Sequence, residues 1–182
     1  MRETPVLDAR ILSLAIARMV SALANSFLVV VLPLYIGSEA VRLPATTGST
    51  VGAFGVGLTL SVELLIAIVL SLFGFLNSLS QPLTGSFSDR TGRRKPFLLF
   101  GLALVATGSA GYLVFTDYLL VLAMRGLQGV GAAFSIPIAV ALVNELSDSA
   151  ERGNNFGLFN TFRLLGFGTG PLVAGVVVAG GP

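Results

Sequence analysis

The chain has 182 residues, 54% of them hydrophobic before its 22 glycines are counted, and only 11% are charged. Soluble domains reach about 45–50% apolar with glycine included, so a soluble enzyme and a disordered chain are both excluded, and a net charge of +2 excludes a nucleic-acid binder. With no Cys and no His there is no disulfide framework, no Cys/His zinc site, no thiolate nucleophile and no His base; no metal or cofactor is expected.

A helix that crosses about 30 Å of hydrocarbon needs about 20 largely apolar residues. Five stretches qualify, and the first is 11–36. Its charged start and Ala22-Leu23-Ala24 are features of a cleaved leader. However, Arg18 interrupts the apolar run, and strong hydrophobicity resumes beyond the candidate cleavage site, so a membrane span is the better reading. A loop rich in Gly, Thr, Ser and Pro (37–57) leads to the second span, 58–84, and a short basic loop (85–95) to the third, 96–116. A tight turn at Thr116-Asp117 precedes the fourth, 118–146, and a polar loop (146–155) precedes the fifth, 156–180. The expected fold is therefore all-α and integral to the membrane, one compact helical unit over 1–182.

Cations set the expected orientation. Arg90, Arg93, Arg94 and Lys95 crowd one loop, and Arg2 and Arg10 precede the first span. The positive-inside rule makes these segments and the N-terminus cytoplasmic, in a cell (plasma or inner) membrane. The outward loops then carry Arg42 as their one cation. Tyr35, Tyr112 and Tyr118 fall at outward helix ends, where amphipathic rings are favoured.

Three motifs follow one another. Segment 85–96 reads Gly85-Ser86-Phe87-Ser88-Asp89-Arg90-Thr91-Gly92-Arg93-Arg94-Lys95-Pro96. Gly85 would allow two backbones to approach, Gly92 would supply a turn that needs no Cβ, and Pro96 suits the first turn of a new helix. Taken alone the segment is also a plain topology anchor. As an ordered set it resembles the G-x-x-x-D-R-x-G-R-[RK] loop between helices 2 and 3 of the major facilitator superfamily. Arg125-Gly126-Leu127-Gln128-Gly129-Val130-Gly131 looks like the same family's R-x-x-x-G-x-G pattern on helix 4. An Arg inside a membrane helix costs about 2.5–3.5 kcal/mol on insertion scales and cannot shed its proton. Arg125 therefore needs a partner or a watery cavity, or it snorkels to the outer interface. Gly157, Gly166, Gly170, Pro171 and Gly175 resemble the helix-5 pattern of the antiporter branch, G-x8-G-x3-GP-x2-GG, with Ala174 in place of one glycine. Gly166 and Gly170 form a small-xxx-small face, and Pro171 removes a backbone donor.

The resemblance implies a secondary transporter of twelve helices in two six-helix halves, with substrate bound between them near the midplane. This chain matches five transmembrane helices of a truncated six-helix half. It stops at Gly180-Gly181-Pro182, just after an apolar run, so a missing C-terminal half, in the same longer chain or as a second subunit, is an expected partner. By the same resemblance Asp89 belongs to a gating charge network, with Arg90 and Arg93 contributing. Glu145 and Arg152 look like the matching elements after the fourth span. Glu63 is the one carboxylate well within a predicted span; it, Arg125, Arg18 and Arg163 are the candidates for transport or coupling. Proton-linked export of a small molecule is the leading expectation. Uptake by symport and a non-transporting module remain as alternatives.

Overall fold

The computed structural model describes residues 8–53 and 56–180. Arg2, counted above toward the cytoplasmic charge, and the terminal Gly181-Pro182 lie outside the described residues. In chain order the elements are α1 (Ala9–Gly37), β1 (Thr50–Ala53), β2 (Val56–Thr59), α2 (Val62–Thr91), α3 (Arg94–Gly111), α4 (Tyr118–Leu146) and α5 (Arg152–Ala179). Helices α1, α2, α4 and α5 are each long and apolar enough to cross a membrane. Helix α3 has 18 residues and carries Arg94 and Lys95 in its first turn.

The differences from the sequence reading lie at the ends of elements. The loop 37–57 contains an antiparallel hairpin, with Thr50 opposite Thr59 and Val51 opposite Leu58; its β-branched residues suit strands. Because β2 takes residues up to Thr59, α2 starts at Val62 rather than 58. Its N-cap is Ser61, whose Oγ accepts from the Leu64 N–H at 3.3 Å. At its other end α2 runs to Thr91 and absorbs most of the basic loop, because Gly92 takes the left-handed conformation that ends the helix (φ 62°). Helix α3 stops at Gly111 rather than 116, where Leu113, Val114 and Phe115 close turns onto Ala110 and Gly111. Helix α5 starts at Arg152, a turn earlier than expected.

By its internal packing the chain divides into two compact units, one of residues 32–138 and one of residues up to 31 together with those from 139 onward. In the first, α3 and α4 run antiparallel and meet backbone to backbone. A Cβ built on Gly101 would lie 2.7 Å from the Gly131 carbonyl oxygen, and one on Gly131 the same distance from that of Gly101. Helices α2 and α4 run the same way, and a Cβ on Gly129 would lie 2.7 Å from the Phe73 carbonyl oxygen. In the other unit α1 and α5 run parallel. A Cβ on Gly166 would collide with the Met19 carbonyl, and one on Gly170 would lie 2.8 Å from the Leu23 carbonyl oxygen. These are close small-residue crossings of the kind membrane helices use.

Two prolines are answered across these crossings. Pro137 cannot donate to Ala133, nor Pro171 to Phe167, so each leaves a carbonyl without its helical partner. The buried Thr84 hydroxyl donates to the Ala133 oxygen at 2.6 Å, and the buried Ser26 hydroxyl to that of Phe167 at 2.7 Å. In contrast, Phe75, Leu79 and Leu83 of α2 and Leu172, Val176 and Val177 of α5 are exposed. Water would penalise such surfaces, and hydrocarbon does not.

Candidate functional site

The end of α2 brings together the first motif. Asp89 lies in the last turn, Gly92 reverses the chain, and Arg94 in the first turn of α3 folds back to it. Arg94 Nη1 donates to Asp89 Oδ1 at 2.7 Å and to the Ser88 hydroxyl at 3.3 Å. The partner of Asp89 is thus Arg94, whereas Arg90 and Arg93, expected to contribute, are exposed. Asp89 is itself 66% exposed, so the pair is worth at most about 1 kcal/mol to the fold. Such a pair can break and re-form cheaply. Gly85 does not serve a close approach within this chain: a Cβ there would meet nothing within 4 Å.

Arg125 heads a polar network in the middle of apolar helices. It is 2% exposed, which removes the snorkelling alternative. Its guanidinium stacks over the Phe73 ring, 4.4 Å from the centroid, and Nη1 donates to Gln128 Oε1 at 3.0 Å. The same oxygen accepts from the Tyr112 hydroxyl at 3.0 Å. Gln128 Nε2 donates to Ser109 Oγ at 2.9 Å, and Ser109 donates to the Val105 carbonyl at 2.9 Å. Every group is supplied by α2, α3, α4 or the residue that ends α3. Sequence reasoning found Arg125 and Gln128, took Tyr112 for an interfacial ring, and did not bring Phe73, Tyr112 or Ser109 to Arg125. A ring about three turns into α2 gives no sign of which cation it will lie beneath.

The tyrosines differ from expectation in a related way. Their hydroxyls are held by protein rather than left to a membrane interface. Tyr35 donates to the Phe115 carbonyl at 3.3 Å, and the buried Tyr118 to that of Leu65 at 3.1 Å.

Along α5 the third motif divides by face. Gly166, Gly170 and Ala174 are buried on one stripe, and Pro171 frees the carbonyl that Ser26 holds. Ala174, the departure from the pattern, is on the packed face, while Cβ atoms on Gly157 and Gly175 would meet nothing within 4 Å. Glu63 is exposed in the first turn of α2, beside the Ser61 cap, where a helix N-terminus favours an anion. Glu145 near the end of α4 and Arg152 at the start of α5 are exposed too. The turn between them is tied by Asn155 Nδ2 donating to Ser147 Oγ at 3.1 Å.

Arg18 lies on the stripe of α1 that also carries the buried Ile11, Ala15, Ala22 and Ser26. Its Nε is buried and has no hydrogen-bond partner among the described residues. Arg163 of α5, held by its Nε donating to Asn160 Oδ1 at 2.9 Å, is near enough for the two charges to repel.

Comparison with known proteins gives the family. The family model of the Major Facilitator Superfamily matches residues 14–182. A citrate exporter of Aspergillus niger is 32% identical over 119 residues, which is 62% of this chain and 21% of the exporter. A multidrug transporter of Candida glabrata is 28% identical over 117 residues, 64% of this chain and 20% of the transporter. The vesicular acetylcholine transporter of Torpedo marmorata is 29% identical over 116 residues, 63% of this chain and 22% of that protein. The match thus spans about a fifth of the length of each of these relatives.

Proposed function

The chain belongs to the Major Facilitator Superfamily, and we propose that it forms the N-terminal part of a secondary active transporter that exports a small molecule in exchange for protons. Its five helices would each cross a cell membrane, with the N-terminus and the Asp89 loop in the cytoplasm and a second half completing the substrate path. Cycling between inward- and outward-open states needs groups whose pairing differs between the states. The exposed Asp89–Arg94 pair is suited to that exchange, and Glu145 and Arg152 are candidates to join it. Arg125 and its network would hold substrate or couple protons, with Glu63 as the other coupling candidate.

The observation that carries export by antiport is the α5 face. Gly166 and Gly170 press on α1, Ala174 is buried on the same stripe, and Pro171 is in register, the pattern that resembles the antiporter branch. The names of the citrate exporter and the multidrug transporter support export over uptake.

The test is transport by the full-length protein in liposomes carrying an imposed pH gradient. Asp89→Asn and Arg125→Ala, each inserted normally, should lose gradient-driven export. Full activity in both variants would overturn the proposal. Inhibition of uptake when the gradient is collapsed, with no effect on export, would replace antiport by symport.

A further inference from the structure

Arginine never gives up its proton in a protein, so a guanidinium inside a membrane-length helix must find oxygen or water. Arg125 has found it. Arg18 and Arg163 have not found it in the same sense: no carboxylate among the described residues pairs with either, and no side-chain oxygen among them accepts from Arg18. Asn160 takes one donor of Arg163, and no carboxylate among the described residues meets its charge.

Helix packing brings the two side chains to one level. Met19 lies against Gly166 on parallel helices. Arg18 precedes Met19 by one residue, and Arg163 precedes Gly166 by less than a turn. Side chains on a helix lean toward its N-terminus, so both stems emerge on the same side of that crossing. The crossing itself is fixed, because neither Gly166 nor Gly170 leaves room for adjustment and Ser26 bonds α1 to α5. Two guanidiniums are therefore anchored at neighbouring levels of one rigid crossing, close enough to repel each other. Guanidinium donors match the oxygens of a carboxylate or a phosphate, two at a time. An anion placed between them would turn the repulsion into two attractions.

We propose that Arg18 and Arg163 form a binding site for an anionic oxygen group, carboxylate or phosphate, within the α1·α5 pair. The proposal deepens the transport reading by giving the bound molecule a charge sign, and a dianion or polycarboxylate suits two guanidiniums better than a monoanion does. The same chemistry could arrive on a soluble molecule or on the headgroup of an anionic lipid.

The test uses the full-length protein in phosphatidylcholine nanodiscs. Thermal unfolding is followed against succinate, tricarballylate and inorganic phosphate at constant ionic strength, with chloride as the baseline. A saturable rise in the midpoint is expected. Binding should weaken about 10- to 100-fold in Arg18→Gln and in Arg163→Gln. Arg18→Lys and Arg163→Lys, which keep the charge and lose the fork, should bind with intermediate strength. Arg42→Gln, in the loop after α1, should respond as the parent does. In nanodiscs containing phosphatidylglycerol, a raised midpoint together with a lost response to soluble anions identifies a lipid headgroup as the occupant. A continued response identifies a soluble one. Equal shifts in the parent and both Gln variants, or no shift with any anion or lipid, would overturn the proposal. Export without an anion response overturns this site alone; an anion response without gradient-driven transport overturns the transport reading alone.

Discussion

Arg125 and Arg18 are both arginines on long apolar helices, and their surroundings are opposite. Arg125 lies over an aromatic face and beside an amide that a tyrosine and a serine hold in place. Arg18 is half-buried on a stripe of buried residues, with another cation for company. Burial of a charge therefore does not by itself separate a structural group from a binding one. The partner set does: a cation bonded to a fixed amide oxygen holds helices together, and one that faces another cation waits for something to arrive.

The most direct way to break this comparison is to disturb each arginine's setting separately. Gln128→Leu removes the oxygen shared by Arg125 and Tyr112 and should destabilise the protein by about 1.5–3 kcal/mol, since the bond lost is to a charged group. Arg18→Gln, measured without added anion, should cost nothing or raise stability, because it removes an uncompensated charge. Reversible unfolding in neutral detergent reads both. A large loss from Arg18→Gln would mean that its surroundings are already complete.

The same contrast divides the glycines of α5. Gly170→Val pushes methyl groups into the Leu23 carbonyl and should cost about 1–3 kcal/mol, whereas Gly175→Val enters open space and should stay within about 0.5 kcal/mol. Equal effects would show that the motif acts through something other than the α1·α5 crossing.

The smallest effect is the most discriminating. Ser26→Ala should cost roughly 0.6 kcal/mol, the average for a side-chain hydrogen bond between membrane helices. That cost should vanish in a Pro171→Ala background, where a restored N–H serves the Phe167 carbonyl. A double-mutant cycle measures the coupling. Simple additivity would show that the hydroxyl is not answering the proline.

The long apolar helices and the family motifs could be read from the chain because each is a local property: apolar run length for the former, residue order for the latter. Element ends were less legible where two signals overlapped. Residues 58–59 are apolar enough to begin α2, yet they pair with 50–51 in the hairpin instead. Arg94 was legible as a motif cation but not as the partner of Asp89, because the helix had to continue through Thr91 before the turn at Gly92 could aim it. The network around Arg125 was legible only at its two members on α4. Phe73, Tyr112 and Ser109 come from α2, from α3 and from the residue after it, and their positions depend on how closely Gly101, Gly129 and Gly131 let those helices approach. A proline within a span does announce a carbonyl four residues earlier that lacks a donor. Which hydroxyl answers it is a question of neighbours, and a single chain read in order does not name neighbours.

The bonds from Ser26 and Thr84 end on main-chain oxygen, so they take no account of the side chains at Phe167 and Ala133. Truncating the side chains of α5 in turn, Pro171 apart, would leave the tie to α1 undisturbed, and the tie would escape a conventional scan. For the same reason the outward surface at Phe167 can change freely to suit a different lipid or neighbour without loosening the crossing behind it. The tie holds α5 by its backbone, and the exposed side chains beside it are left at liberty.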